Sequence, residues 1–230
     1  MSTLTFTSVV LLAFTTLLPV VNPIGCAPIF LVLTRQYPQS TRQMLARKVA
    51  GYGFALLAVS LLFGTAILGF FGISVFVIQL AGGLVLAATG WNLLNQKDGD
   101  DSTAASEAPD ALDHAMEHAF FPLTLPITVG PGCISIAITL GAHLRSQAGP
   151  GLAHGEPRHF IAALLGMFLL CVLVYVCYGN ADRLVKMLGK SGTSILMRLS
   201  AFILFAIGVQ IFWNGLASGL PRILATVPTH

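Results

Sequence analysis

Two short stretches carry residue types that a regular membrane helix avoids. "LPVVNPIGCAPIF" (18–30) holds Asn22, Pro23, Gly25, Cys26 and Pro28, and "LPITVGPGCISI" (125–136) holds Thr128, Gly130, Pro131, Gly132 and Ser135. A proline has no N–H to give a helix, and glycine enters turns that other residues avoid. Each stretch is therefore expected to interrupt one helix and start another, at about Cys26–Thr34 and Cys133–Leu144. The first amide hydrogens of a helix lack partners inside it and carry partial positive charge, which suits a carboxylate. Carbonyls freed at 19–25 and 126–131 suit an ammonium. The chemistry predicted for these ten residues is non-covalent binding of a small zwitterion. The plainer reading is that the prolines kink helices for packing, with Asn22, Thr128 and Ser135 satisfying freed backbone groups.

No catalytic set accompanies them. The chain has no HExxH, no GxSxG, no phosphate loop and no paired carboxylates in its apolar runs, so an enzyme is not expected, nor a cofactor or a metal. Cys26 and Cys133 stand at matching places in the two stretches and are read as small packing residues that come near one another.

The elements that position these stretches follow from composition. The chain of 230 residues is 55% hydrophobic and only 9% charged, with a mean hydropathy of +0.83. One soluble core does not need so many apolar side chains, so an all-α integral membrane protein is predicted. A net charge of +3 is too weak and too scattered for a nucleic-acid partner. The four cysteines lie in apolar runs rather than in a disulfide framework. The N-terminus lacks a basic region and a cleavage site, so the first span is expected to be retained.

About 20 apolar residues cross a bilayer as a helix. The uncharged runs at 1–34, 49–94 (two helices turning at "FGIS", 71–74), 119–144, 160–181 and 199–221 predict six spans. Arg35, Arg42, Arg47, Lys48, Lys97, Arg183, Lys186 and Lys190 collect on one side, against Arg145, Arg158 and Arg222 on the other. The positive side is the cytoplasm, which puts both termini in the periplasm. Residues 97–118 read as a cytoplasmic linker, with Lys97 against seven acidic residues. They separate a first three-helix unit (1–96) from a second (119–221), and 222–230 form a short tail.

The two units resemble one another. Leu18, Pro19, Gly25 and Cys26 overlay Leu125, Pro126, Gly132 and Cys133, and "IQLAGGLVLAATGW" (78–91) overlays "MRLSAFILFAIGVQ" (197–210) more weakly. With three spans per unit, the second copy enters the membrane upside down, an inverted repeat with broken first and fourth helices.

Other polar residues in the spans are few. Gln79 and Arg198 are repeat-matched and are candidates to line a cavity, as is Gln210, although Arg198 at the cytoplasmic end is read first as snorkelling and Gln210 with Asn214 as an interhelical bond. Asp182 is expected to pair with its neighbour Arg183 at the interface. No carboxylate lies deep in a span, which argues against an Asp/Glu proton relay.

Taken together, "LLPVVNPIG", "FGIS" followed by "IQLAGGLVLAATG", "AFFPLTLPITVGPGCI" and "IGVQIFWNG" resemble the MarC family of bacterial inner-membrane proteins (UPF0056). The resemblance implies six helices, an inner-membrane location and transport of small neutral amino acids. The chain departs from the family pattern at Gln79, where an arginine is often found, and at "GPGC" in place of "GPGT". The function expected is a secondary transporter that binds a small zwitterion between the two breaks. The rival is a non-transporting membrane scaffold or regulatory subunit. Oligomeric state is not legible.

Overall fold

The computed structural model of the chain describes residues 5–95, 119–146 and 157–224. The linker expected at 97–118 and the end of the tail lie outside them. The described elements are helices: α1 (Phe6–Val21), α2 (Pro23–Leu33), α3 (Gln39–Phe70), α4 (Val75–Asn95), a π-helix π1 (Ala119–Thr128), α5 (Pro131–Ser146), α6 (Pro157–Gly179) and α7 (Ala181–Leu224).

Each boundary has a local cause. Thr5 caps α1 by accepting the Ser8 N–H at 3.3 Å. The turn at "FGIS" forms as expected. Gly72 takes a φ of 67° there, its N–H donating to the Gly69 carbonyl at 3.1 Å and that of Ile73 to Leu68 at 2.8 Å. α3 starts ten residues ahead of the expected span, because "QSTRQMLARK" continues the same helix without a breaker. Gly189, at φ 66° and ψ 178°, interrupts α7 and divides a short arm from the last span.

Four helices are long and apolar enough to cross a membrane: Gln39–Phe70, Val75–Asn92, Pro157–Gly179 and Ser191–Leu220. The pair α1 and α2, bent by 43°, makes a fifth. The run at 119–144, expected as one broken span, divides into π1 and α5 around Val129 and Gly130, and neither piece alone is among the helices long enough to cross. By length and apolarity the described residues thus hold four to five candidate spans, not six.

α6 is the central helix, with half of its most apolar window buried, whereas α7 is peripheral, with 12% of its own covered. Val9, Leu17, Phe30, Leu57, Leu61, Met167 and Leu170 form the middle of the core. α4 and α7 pack so closely that a Cβ on Gly90 would lie 2.9 Å from the Ala201 carbonyl, and one on Gly208 would lie 2.8 Å from the Gly83 carbonyl. Small residues permit this approach, which dispersion and backbone contacts then stabilise in lipid.

Candidate functional site

The first break is built by Asn22. Its φ of 45° and ψ of 61° are left-handed, a region that asparagine enters more readily than most side chains. Its N–H donates to the Leu18 carbonyl at 2.9 Å and ends α1, and its carbonyl accepts the Cys26 N–H at 3.0 Å and begins α2. Its Oδ1 accepts the Gly25 N–H at 3.1 Å. Pro23 follows at the first helical position, where a missing N–H costs nothing and its fixed φ suits the helix. Gly25 must lack a side chain, since a Cβ would sit 2.8 Å from Asn22 Cγ.

The second break is built differently. π1 has wide turns, in which the hydroxyls of Thr124 and Thr128 donate to the Ala119 and Leu123 carbonyls at 2.6 and 2.7 Å. Those carbonyls lie five residues back, and the Val129 N–H reaches the Thr124 carbonyl at 2.8 Å in the same way. The Gly130 carbonyl then accepts the Cys133 and Ile134 amides at 3.0 and 3.3 Å, opening α5. Pro131 is exposed and Gly132 buried. A Cβ on Gly132 would meet the Leu86 side chain of α4.

These bonds amend one expectation. The helix starts were expected to present free amide hydrogens, but Asn22 already occupies those of Gly25 and Cys26, and Gly130 those of Cys133 and Ile134. The breaks thus satisfy part of their own backbone from within, which an apolar medium favours.

The two breaks meet. The Cys26 thiol approaches the Ile127 carbonyl at 3.8 Å, and the Cys133 thiol approaches that of Thr128 at 4.0 Å, so both turn to successive carbonyls at the end of π1. Thr128 Oγ1 lies 3.0 Å from the hydroxyl of Tyr178 on α6, whose ring stacks on Phe30 of α2 with centroids 4.6 Å apart. Sequence reasoning missed Tyr178. It ends an apolar run with no local signal beyond being a polar aromatic near a span end.

Each break also docks on the α4/α7 layer. Asn22 Oδ1 accepts from Ser200 Oγ of α7 at 3.3 Å, and Ser135 Oγ donates to the Ile78 carbonyl of α4 at 3.0 Å. Gln79, next along α4, donates to Thr139 Oγ1 at 3.3 Å and accepts from Ser218 Oγ at 3.4 Å, tying α4, α5 and α7 together. Pro28 is buried in α2. Arg198 is exposed on α7, two residues before Ser200. Gln210 is not drawn to the junction: it is exposed farther along α7 and donates to Asn214 Oδ1 at 2.9 Å.

Side chains fill the junction in this conformation, with Val21, Phe30, Thr128, Cys133, Ser135 and Tyr178 all buried. A groove of about 540 Å³ opens elsewhere, between α3 and α6, lined by Ala50, Phe54, Phe168 and Val172 among others. Among the described residues no group of three His, Cys, Asp or Glu side chains could hold a metal ion. Asp182, expected to pair with Arg183, pairs instead with Arg42 of α3 at 2.7 Å. Adjacent helical residues point in different directions and do not face each other.

A long apolar helical array interrupted by two breaks defines a multi-pass integral membrane protein. The family model described as MarC family integral membrane protein matches residues 7–220, and the chain belongs to that family. It is 30% identical over 208 residues to the UPF0056 membrane protein YvbG of Bacillus subtilis, covering 90% of this chain and 94% of the relative. It is 31% identical over 211 residues to a UPF0056 membrane protein of Methanocaldococcus jannaschii, covering 91% and 97%. It is 30% identical over 208 residues to the UPF0056 inner membrane protein MarC of Escherichia coli, covering 89% and 92%. No solved structure matches.

Proposed function

We propose that the protein is a secondary transporter of small neutral solutes, amino acids above all, in a bacterial inner membrane. In this reading π1 and α5 together form a further broken span, giving six spans as two inverted units with both termini periplasmic. The observation that carries it is the meeting of the two breaks at one junction, through Cys26 with Ile127 and Phe30 with Tyr178 and Thr128. The pairing of helices supports the repeat, because it exchanges when the units are swapped: α2 packs on α7 as α5 does on α4, and α1 on α6 as π1 does on α3. Gly72 and Gly189, both at positive φ, precede the last span of each unit.

A zwitterion would enter by displacing the bonds that now close the junction. Its carboxylate would take over from Asn22 Oδ1 and the Gly130 carbonyl at the helix starts, and its ammonium would compete for the Ile127 and Thr128 carbonyls. The filled junction describes an occluded state of such a cycle. It is also what the rival reading, a membrane scaffold, requires, and one experiment separates the two. Purified protein in proteoliposomes is assayed for glycine and alanine flux beside the Gly132→Leu variant, whose side chain would collide with Leu86. The transporter reading expects flux that the variant abolishes. Equal flux in empty, wild-type and variant vesicles supports the scaffold.

A further inference from the structure

We infer that the outer face of α7 is an interface with a second copy of this chain, centred on Gln210 and Asn214. The run from Leu199 to Pro221 has no charged residue, and Gln210 stands at its middle. At a rise of about 1.5 Å per residue that is about 16 Å from either end, the depth at which amides find no water. Both side chains are exposed. At about 3.6 residues per turn, Gln210 lies opposite the stripe of Gly208, Phe212 and Gly215 that packs on α4, on a face shared with Ala206, Trp213 and Ala217.

The single bond between the two amides, from Gln210 Nε2 to Asn214 Oδ1, leaves Gln210 Oε1 and the Asn214 Nδ2 hydrogens without a partner among the described residues. Lipid tails cannot supply one, and an unmet amide in hydrocarbon is costly. Gln210 Oε1 as an acceptor and Asn214 Nδ2 as a donor are held at similar depth by the bond between their side chains. That pair is self-complementary: across a two-fold axis along the membrane normal, each Nδ2 donates to the other copy's Oε1, and the reverse. Ala206 and Ala217, above and below, let the two helices approach, as small residues do at membrane helix contacts. The low cover of α7, 12% against 50% for α6, fits a helix completed by a neighbour.

The full chain in nanodiscs drawn directly from membranes should have twice the 24.3 kDa mass of one copy by native mass spectrometry. In oxidised membranes, Ala206→Cys and Trp213→Cys should form a covalent dimer above the background of the native cysteines, and Leu84→Cys, exposed on α4, should not. Gln210→Leu with Asn214→Leu should reduce the dimer about tenfold. The single copy should keep or raise its melting temperature, because leucines suit lipid better than unmet amides. A mass of one copy in those nanodiscs overturns the inference, as does a dimer that the double variant leaves intact or cross-linking at Leu84→Cys equal to that at Trp213→Cys.

Discussion

The hydroxyls of Thr128 and Tyr178 lie 3.0 Å apart, and their direction is settled by a third group. Thr128 gives its hydrogen to the Leu123 carbonyl at 2.7 Å, so it accepts the one from Tyr178. With its ring against Phe30 at an interplanar angle of 21°, Tyr178 of α6 touches residues of both stretches.

Tyr178→Phe keeps that stack and removes the bond, with an expected loss of about 1 kcal/mol. Thermal unfolding in detergent measures it, and Thr128→Val should cost more, because it also loses the bond to the Leu123 carbonyl. The double variant should cost little more than Thr128→Val alone, since the two positions share one interaction. Fully additive losses would show that the bond contributes nothing.

In the transporter reading the same contact closes the junction. Tyr178→Phe, with Cys171 and Cys177 replaced by Ser, should then let a membrane-permeant maleimide label Cys26 several-fold faster, read by mass spectrometry of the peptide. Labelling at the wild-type rate would mean that Tyr178 does not hold the junction shut.

Asn22 serves as a left-handed hinge and as a side-chain cap, and two substitutions separate these roles. Asn22→Gly loses the cap but relieves the backbone, whereas Asn22→Ala loses the cap and keeps the strain, so Ala should be worse by about 1 kcal/mol. The order of their melting temperatures tests this. A more stable Ala variant would argue against a left-handed residue at the bend.

Glycines at helix crossings should not tolerate alanine. Gly83→Ala and Gly90→Ala each place a Cβ within 2.9 Å of α7 backbone, which cannot rotate away, for an expected cost of about 1–3 kcal/mol. Gly51→Ala meets nothing within 4 Å and should gain about 0.5–1 kcal/mol from helix propensity. Opposite signs in thermal unfolding are the expected outcome.

Arg42 and Asp182 make a partly exposed ion pair, their side chains 16% and 38% accessible. Asp182→Asn should cost at most about 1 kcal/mol at low salt, and less in molar salt, where exposed charges are screened. Unfolding at two ionic strengths checks it; a loss independent of salt would assign Asp182 another role.

Much of this molecule is written locally. That it is a helical membrane protein follows from long runs without charge, and the places where helices stop follow from covalent facts: proline has no N–H, asparagine tolerates a left-handed backbone, and glycine closes the turn at Gly72. Those properties act within one turn of chain, so they were legible without a fold. Tertiary structure alone decided the partners. Asp182 reaches across to Arg42 because neighbouring helical side chains diverge. The Thr128 hydroxyl finds Tyr178, fifty positions away, because α6 is the helix that packs between the breaks. The Gly25 and Cys133 amides at the helix starts proved to be occupied, by Asn22 Oδ1 and the Gly130 carbonyl, because the backbone geometry at each break, which folding fixes, brings those acceptors into reach.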